Sequence, residues 1–303
     1  MKYWLVFGLL LVVAGCGSTP VRDGYAHHIN LLNSSSLNTK ALNLQFIDVD
    51  KIDVRGVYDK NDTVGDSTVL YQGGAGVVGL IAQVGIHSAM VNSQRNKRLD
   101  AAQKAANDAI APLIQEVSDM SLLGLVSPSL QNAFQTTQHG EPTITLEPIF
   151  YSSQDMQRLS LNMIVSLTQV NSAKPNARKV LYRNLVKVHA PVTDGLFDQR
   201  ANKVDKSLLE RTSAAILNTA IKIAVDDISG KFSEVNGSDR SFVFKDGEAN
   251  RIIRGVKVAE RCGFDVIRNL HQWYVAIPSK HEAYDQNKLW YSDFICQTAN
   301  TAS

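Results

Sequence analysis

The 303-residue sequence lacks the short signatures that announce a particular chemistry. It has no G-x-S-x-G nucleophile turn, no G-x-x-x-x-G-K-[ST] phosphate loop, no H-E-x-x-H zinc helix and no C-x-x-C pair. Charge of one sign is also missing: the formal net charge is +2, which removes the electrostatic case for a nucleic-acid partner. The local basic run Arg95-Asn96-Lys97-Arg98 is followed by Asp100 and reads as a solvated helix face. Cysteine is scarce, with three in the chain, and none stands near a second Cys or His at zinc-ligand spacing. Hydrophobic content of 44% with 20% charged residues leaves enough apolar material for a globular core.

What is present begins at the N-terminus. Lys2 precedes the apolar run Trp4–Ala14, and the small residues Gly15, Gly17 and Ser18 surround Cys16. A basic start, a short apolar stretch and a small-residue cut site make a secretory leader, too short to span a bilayer. The stretch Val13-Ala14-Gly15-Cys16 resembles the lipobox of bacterial lipoproteins. The resemblance implies diacylglyceryl transfer to the Cys16 thiol, cleavage after Gly15 and acylation of the new amino group. Gly17 stands where lipoproteins retained in the inner membrane typically carry Asp, which points to the outer membrane facing the periplasm. Several acyl chains make such an anchor stable, each buried CH₂ contributing roughly 0.8 kcal/mol.

Four regions follow from composition and periodicity. Residues 1–15 are the leader, and residues 16–42 are a Ser/Asn/Gly-rich tether behind the lipidated cysteine. Residues 43–235 form an α+β domain in which an antiparallel β-sheet packs with long helices. Residues 236–303 form a small β-rich module. Strands are predicted at Leu42–Val54, with a phase slip near Asp50-Lys51, and at Ser67–Tyr71. A helix ends near Pro112, and shorter ones cover Leu113–Leu125 and Pro128–Gln135. Alternation then marks strands at Thr143–Tyr151, Gln157–Val170 and Lys179–His189, with Pro148 suggesting that the first lies on an edge. A helix capped by Ser207 and Glu210 closes at Gly230. Four short strands come last, at Ser241–Lys245, Arg251–Glu260, Phe264–Arg268 and Trp273–Ile277. Their rhythm looks like that of an SH3-like barrel, without a diagnostic motif.

Candidate site residues are few. Cys262 and Cys296 are expected to form a disulfide in an oxidising compartment, worth roughly 3–4 kcal/mol by loop closure. Gly76, Gly79, Ala82, Gly85 and Ala89 recur at helical spacing in a stretch with no formal charge from Gly73 to Gln94. They define an association face suited to internal packing, self-association or bilayer contact. Gly74, Gly76 and Gly79 match G-x-G-x-x-G, but no βαβ unit with an acidic ribose partner follows. Trp273, Trp290 and Tyr291 lead a late aromatic cluster that is core or, where exposed, a recognition patch. His139, His189 and His271 have no nucleophile or carboxylate at a spacing that predicts contact, so no catalytic residue is assigned. Asp226-Asp227 stand at a helix C-terminus, where acids are unfavourable, and pairing with Lys222 or Lys231 would relieve them. No cofactor and no metal is expected.

The functional expectation is a lipid-anchored, non-enzymatic envelope lipoprotein that binds or assembles at the periplasmic face of a membrane. Its partners would be the membrane itself, through the lipid, and an envelope protein or a second copy. A hydrolase acting on cell-wall or lipid material, or a ligand-binding component of a transport system, is the alternative.

Overall fold

A computed structural model describes residues 43–47, 50–58, 96–135, 142–171, 174–233, 235, 237–246, 249–261 and 263–279. The leader, the tether, the strand expected at Ser67–Tyr71 and the small-residue segment all lie outside these residues.

The fold is mixed α/β, built on one large, mostly antiparallel open sheet. Its strands are β1 (Asn43–Phe46), β2 (Val54–Gly56), β3 (Thr143–Ser152), β4 (Leu159–Asn171), β5 (Lys174–His189), β8 (Arg240–Asp246), β9 (Ala249–Arg261), β10 (Phe264–Asn269) and β11 (Tyr274–Pro278). A separate two-stranded ladder pairs β6 (Phe197–Asp198) with β7 (Lys203–Val204). The main order is β1-β3-β4-β5-β11-β10-β9-β8, with β2 also on β3. The helices are α1 (residues 96–109), α2 (Ala111–Val117), α3 (Leu122–Leu125), α4 (Pro128–Gln135) and the long α5 (Lys206–Ile228).

Period-two alternation sets the two faces of the sheet. Ile144, Leu146 and Phe150 of β3 face one way, with Leu161, Met163 and Val165 of β4 and Val186 and Val188 of β5, all essentially inaccessible. They form one cluster with Leu209, Ile216, Ala220 and Ile223 of α5. Each such aliphatic side chain contributes about 1.5–3 kcal/mol on burial, so this layer carries most of the stability. Helix α5 is buried on nearly all sides because α3 covers it from behind. There, Asn218 accepts from the Ser127 amide at 2.8 Å and donates to the Leu125 carbonyl at 2.8 Å.

Four expectations need correction. Pro148 does not mark an edge strand: β3 pairs β4 on one side and both β1 and β2, in parallel, on the other. The Leu146 carbonyl and the Phe150 amide bond toward that second side, to Ile47 and Asp53. Pro148 has the same parity, and its missing N–H falls in the gap between β1 and β2, where no ladder bond is lost. The predicted strand at Leu42–Val54 is accordingly two short strands. The cap of α5 is Asp205, whose carboxylate accepts from the Leu208 amide at 2.9 Å, while Ser207 accepts instead from Arg211. Finally, the late strands do not stand apart as an SH3-like barrel. β11 joins β5 in parallel, Tyr274 beside Val186, so the described C-terminal strands continue the main sheet.

That continuation bends. Ile267, Val275 and Ile277 lie on the face away from α5, and Phe242, Phe244 and Ile253 of β8 and β9 fold over them. The turn is close enough to bring Phe244 within 4.8 Å of the His189 ring on β5, with three strands between them in the sheet order. Gly255 permits one crossing on the way, since a Cβ there would stand 2.2 Å from the Arg268 carbonyl oxygen.

Candidate functional site

The bend creates a cleft on the outer face. Cross-strand register puts Tyr151, Ser160 and His189 in one row over β3, β4 and β5. On the opposing wall Phe244 of β8 is paired with Arg251 of β9. Arg158, Ser153 and Gln154 from the β3–β4 loop complete the rim, around a volume of about 210 Å³. Leu159 and Ala190 close its floor.

The loop that carries Arg158 is held firmly. Ser153 N–H donates to the Arg158 carbonyl at 3.1 Å, and Asp155 accepts from the Gln157 amide and the Ser153 hydroxyl. Gln157 reaches the Phe197 carbonyl at 2.8 Å, and its own carbonyl accepts from the Thr193 amide. Met156 adopts φ 55° and is nevertheless buried at 4% exposure, pinning the loop's middle into the core.

The lining is electrostatically one-sided. Two guanidinium groups and an imidazole face hydroxyls and aromatic rings, and among the described residues no carboxylate lines the cleft. Guanidinium stays charged at every accessible pH, so this charge is permanent. The Nε of Arg158 is buried without a hydrogen-bond partner among the described residues, which is costly for a charged group.

A second polar cluster lies on the other face, beneath the end of α5. Asp227 is 6% exposed and receives the Tyr182 hydroxyl at Oδ2 and the Tyr274 hydroxyl at Oδ1, each at 2.5 Å. Burial pushes its carboxyl above the usual range, although both tyrosines, Asn184 and the charge on Arg268 pull it back. Burial, and then the Asp227 charge, push both phenols upward. Asp226 is 2% exposed and ion-paired to Lys231 at 2.6 Å and Arg261 at 3.2 Å. The expected pairing with Lys231 is therefore present, and Lys222 takes no part. This cluster does not line the cleft. It ties α5 to β5 and β11, and its chemistry is that of a structural lock.

The direction of the Asp227 shift has a measurable consequence. A folded carboxyl that holds its proton to higher pH than the unfolded one, ordinarily near 3.8, stabilises the fold most below that value. Its contribution declines as pH rises through the window above it. Denaturant midpoints between pH 3.5 and 7 should therefore show Asp227→Asn costing less at pH 7 than at pH 4. A cost that grows toward neutrality would reverse the assignment.

The other sequence-derived candidates fall as follows. Cys16, the face Gly76, Gly79, Ala82, Gly85 and Ala89, and the residues His139, Cys262, Cys296, Trp290 and Tyr291 lie outside the described residues. Trp273 is packed at 8% exposure against Ile164 and Leu185, with His271 4.8 Å from its ring and Lys187 Nζ 5.4 Å away. It serves as packing on the outer face rather than as an open platform. Of the two described candidate histidines, His189 lines the cleft and His271 does not. Arg158, Arg251 and Ser160 escape sequence reading. The alternation of β4 and β5 places Ser160 and His189 on the outer face, but nothing local announces that β8 and β9 bend over to meet them.

Among the described residues no group of three metal-ligating side chains occurs, and no helix is long and apolar enough to cross a membrane. Comparison with family models, curated proteins and solved structures finds no match to this chain.

Proposed function

We propose that this chain is a lipid-anchored envelope protein that binds an acidic ligand in the outer-face cleft and does not transform it. The lining of that cleft carries the reading: Arg158, Arg251 and His189 border one small volume, and no carboxylate stands among its described lining residues. The resemblance of Val13-Ala14-Gly15-Cys16 to a lipobox supports the anchor, with Gly17 favouring the outer membrane. The tether over residues 16–42 would hold the cleft a short distance from the lipid surface.

Two measurements test this together. Cells fed labelled palmitate should label the wild type but not Cys16→Ser. Native mass spectrometry of protein purified from envelopes should show a bound acidic compound that is released with its mass unchanged. The double variant Arg158→Ala/Arg251→Ala should lose it. Release of a chemically altered compound, or retention by the double variant, would sink the binding assignment.

A further inference from the structure

We infer that the outer edge of β8 is a self-association seam, to which a second copy of this chain adds its own β8 in antiparallel. The two ends of the main sheet differ in what covers them. At one end β1 packs against α4, where the Phe46 and Phe134 rings stack at 4.8 Å. Beside it β2 is sealed by α1: the Gly56 amide donates to Asn107 and the Gly56 carbonyl accepts from Gln103. At the other end β8 pairs β9 on one side, and among the described residues no strand pairs its other side. Such an edge presents a row of backbone N–H and C=O groups to water or to another strand. The devices that ordinarily blunt it are missing. Over seven residues β8 has no proline, and its register against β9 runs unbroken from Arg240 on Gly255 to Asp246 on Ala249.

The order of residues along the edge selects a second copy as the occupant. The strand reads Arg-Ser-Phe-Val-Phe-Lys-Asp, with Phe on either side of Val243 and opposite charges at the two ends. An antiparallel pair centred on Val243 therefore sets Arg240 opposite Asp246 of the second copy at both ends of the seam. It also sets Phe242 opposite Phe244 and Val243 opposite itself, and both kinds of pair are favourable across strands. A parallel pair would instead oppose Arg240 to Arg240 and Asp246 to Asp246. An antiparallel register slipped by two residues would lose both ion pairs. The exposed face agrees. Val243 is 37% exposed, and Ile252, its direct partner on β9, is 68% exposed. By alternation both point away from the face on which Phe242, Phe244 and Ile253 cover Ile267, Val275 and Ile277. Two copies related by a two-fold axis through Val243 would join these side chains and their counterparts into one aliphatic row across the seam. An edge this short makes a small interface, which sets the affinity in the micromolar range.

Sedimentation equilibrium of the full chain in density-matched detergent, over a micromolar concentration series, tests the seam. The wild type should show a reversible monomer–dimer equilibrium. Val243→Lys and Val243→Glu should each weaken it at least tenfold, because like charges meet on the two-fold axis. An equimolar mixture of the two variants should recover the dimer, since only there does Lys face Glu. Val243 is exposed, so both variants should keep the wild-type denaturation midpoint. Arg240→Asp should also weaken the dimer, and Arg240→Asp/Asp246→Arg should restore it; a parallel pair would show neither the loss nor the rescue. Leu270→Lys, at an exposed apolar residue outside β8 and β9, should leave the equilibrium unchanged. A wild type that stays monomeric throughout overturns the inference, including the case in which this edge takes its strand from a different protein. A dimer that survives both Val243 variants, or a mixture no more associated than its components, overturns it as well.

Discussion

Asp227→Ala should be the most damaging single truncation in the described fold, lowering stability by about 3–5 kcal/mol at neutral pH. The loss is not that of the carboxylate alone. Tyr182 and Tyr274 both donate to it, and both hydroxyls sit in the core, the rings being about 1% exposed. Removing their common acceptor strands two buried donors at about 1–3 kcal/mol each. The same reasoning predicts rescue. In the triple variant Asp227→Leu/Tyr182→Phe/Tyr274→Phe neither phenol is stranded and Asn184 keeps the Gln272 carbonyl, so more than half of the lost stability should return. Chemical denaturation of the single, double and triple variants gives the coupling energies directly. A triple variant no more stable than Asp227→Ala would show that burial of the polar cluster is not what sets the cost.

Gly56→Ala is the second large effect, and it works by collision. A Cβ at Gly56 would stand 2.1 Å from the Ala106 carbonyl oxygen and 2.4 Å from its carbon, so helix backbone has to move. The contact is also bonded: Gly56 N–H donates to Asn107 at 2.9 Å, and its carbonyl accepts from Gln103 at 3.0 Å. Forcing α1 away from β2 costs about 2–3 kcal/mol through overpacking and the loosened bonds. Hydrogen exchange should rise over residues 96–109. Gly124→Ala is the control: Gly124 lies within α3 with nothing nearer than the Ser121 Cβ at 3.8 Å. There the exchange should gain up to about 1 kcal/mol from helix propensity. Equal losses at both positions would refute the steric account.

These two positions illustrate what local sequence conveys and what it does not. Alternation through Leu161, Met163 and Val165, and through Val186 and Val188, makes β4 and β5 and their buried face legible, and the stripe on α5 reads equally well. Alternation assigns a face but not a neighbour. Nothing in Tyr274-Val275-Ala276 says that it pairs with Val186-Lys187-Val188 in parallel, because hydrogen-bond partners are chosen by long-range packing. Pro148 misleads for the same reason: its tolerance depends on a break between two other strands. The Asp226-Asp227 pair is conspicuous at the end of a helix, but its acceptor role becomes visible only once β5 and β11 bring two phenols to it. The cleft is the extreme case, assembled from the β3–β4 loop, β5, β8 and β9 by a bend that no single segment encodes.

The parallel seam between β5 and β11 also governs the order in which the chain matures. Asn184 donates to the Gln272 carbonyl across 88 residues, and the ladder beside it closes a loop of similar length. Contacts so distant form late and slowly, since chain entropy has to be spent before they return anything. During synthesis, β3, β4 and α5 emerge with an unpaired strand edge at β5 and an Asp227 that has not yet met Tyr274. The last residues of the sheet are the ones that seal it. An immature chain thus carries an open strand edge through the whole interval before residue 274 arrives, a sticky template for aggregation, and holding that edge apart is a natural task for a chaperone.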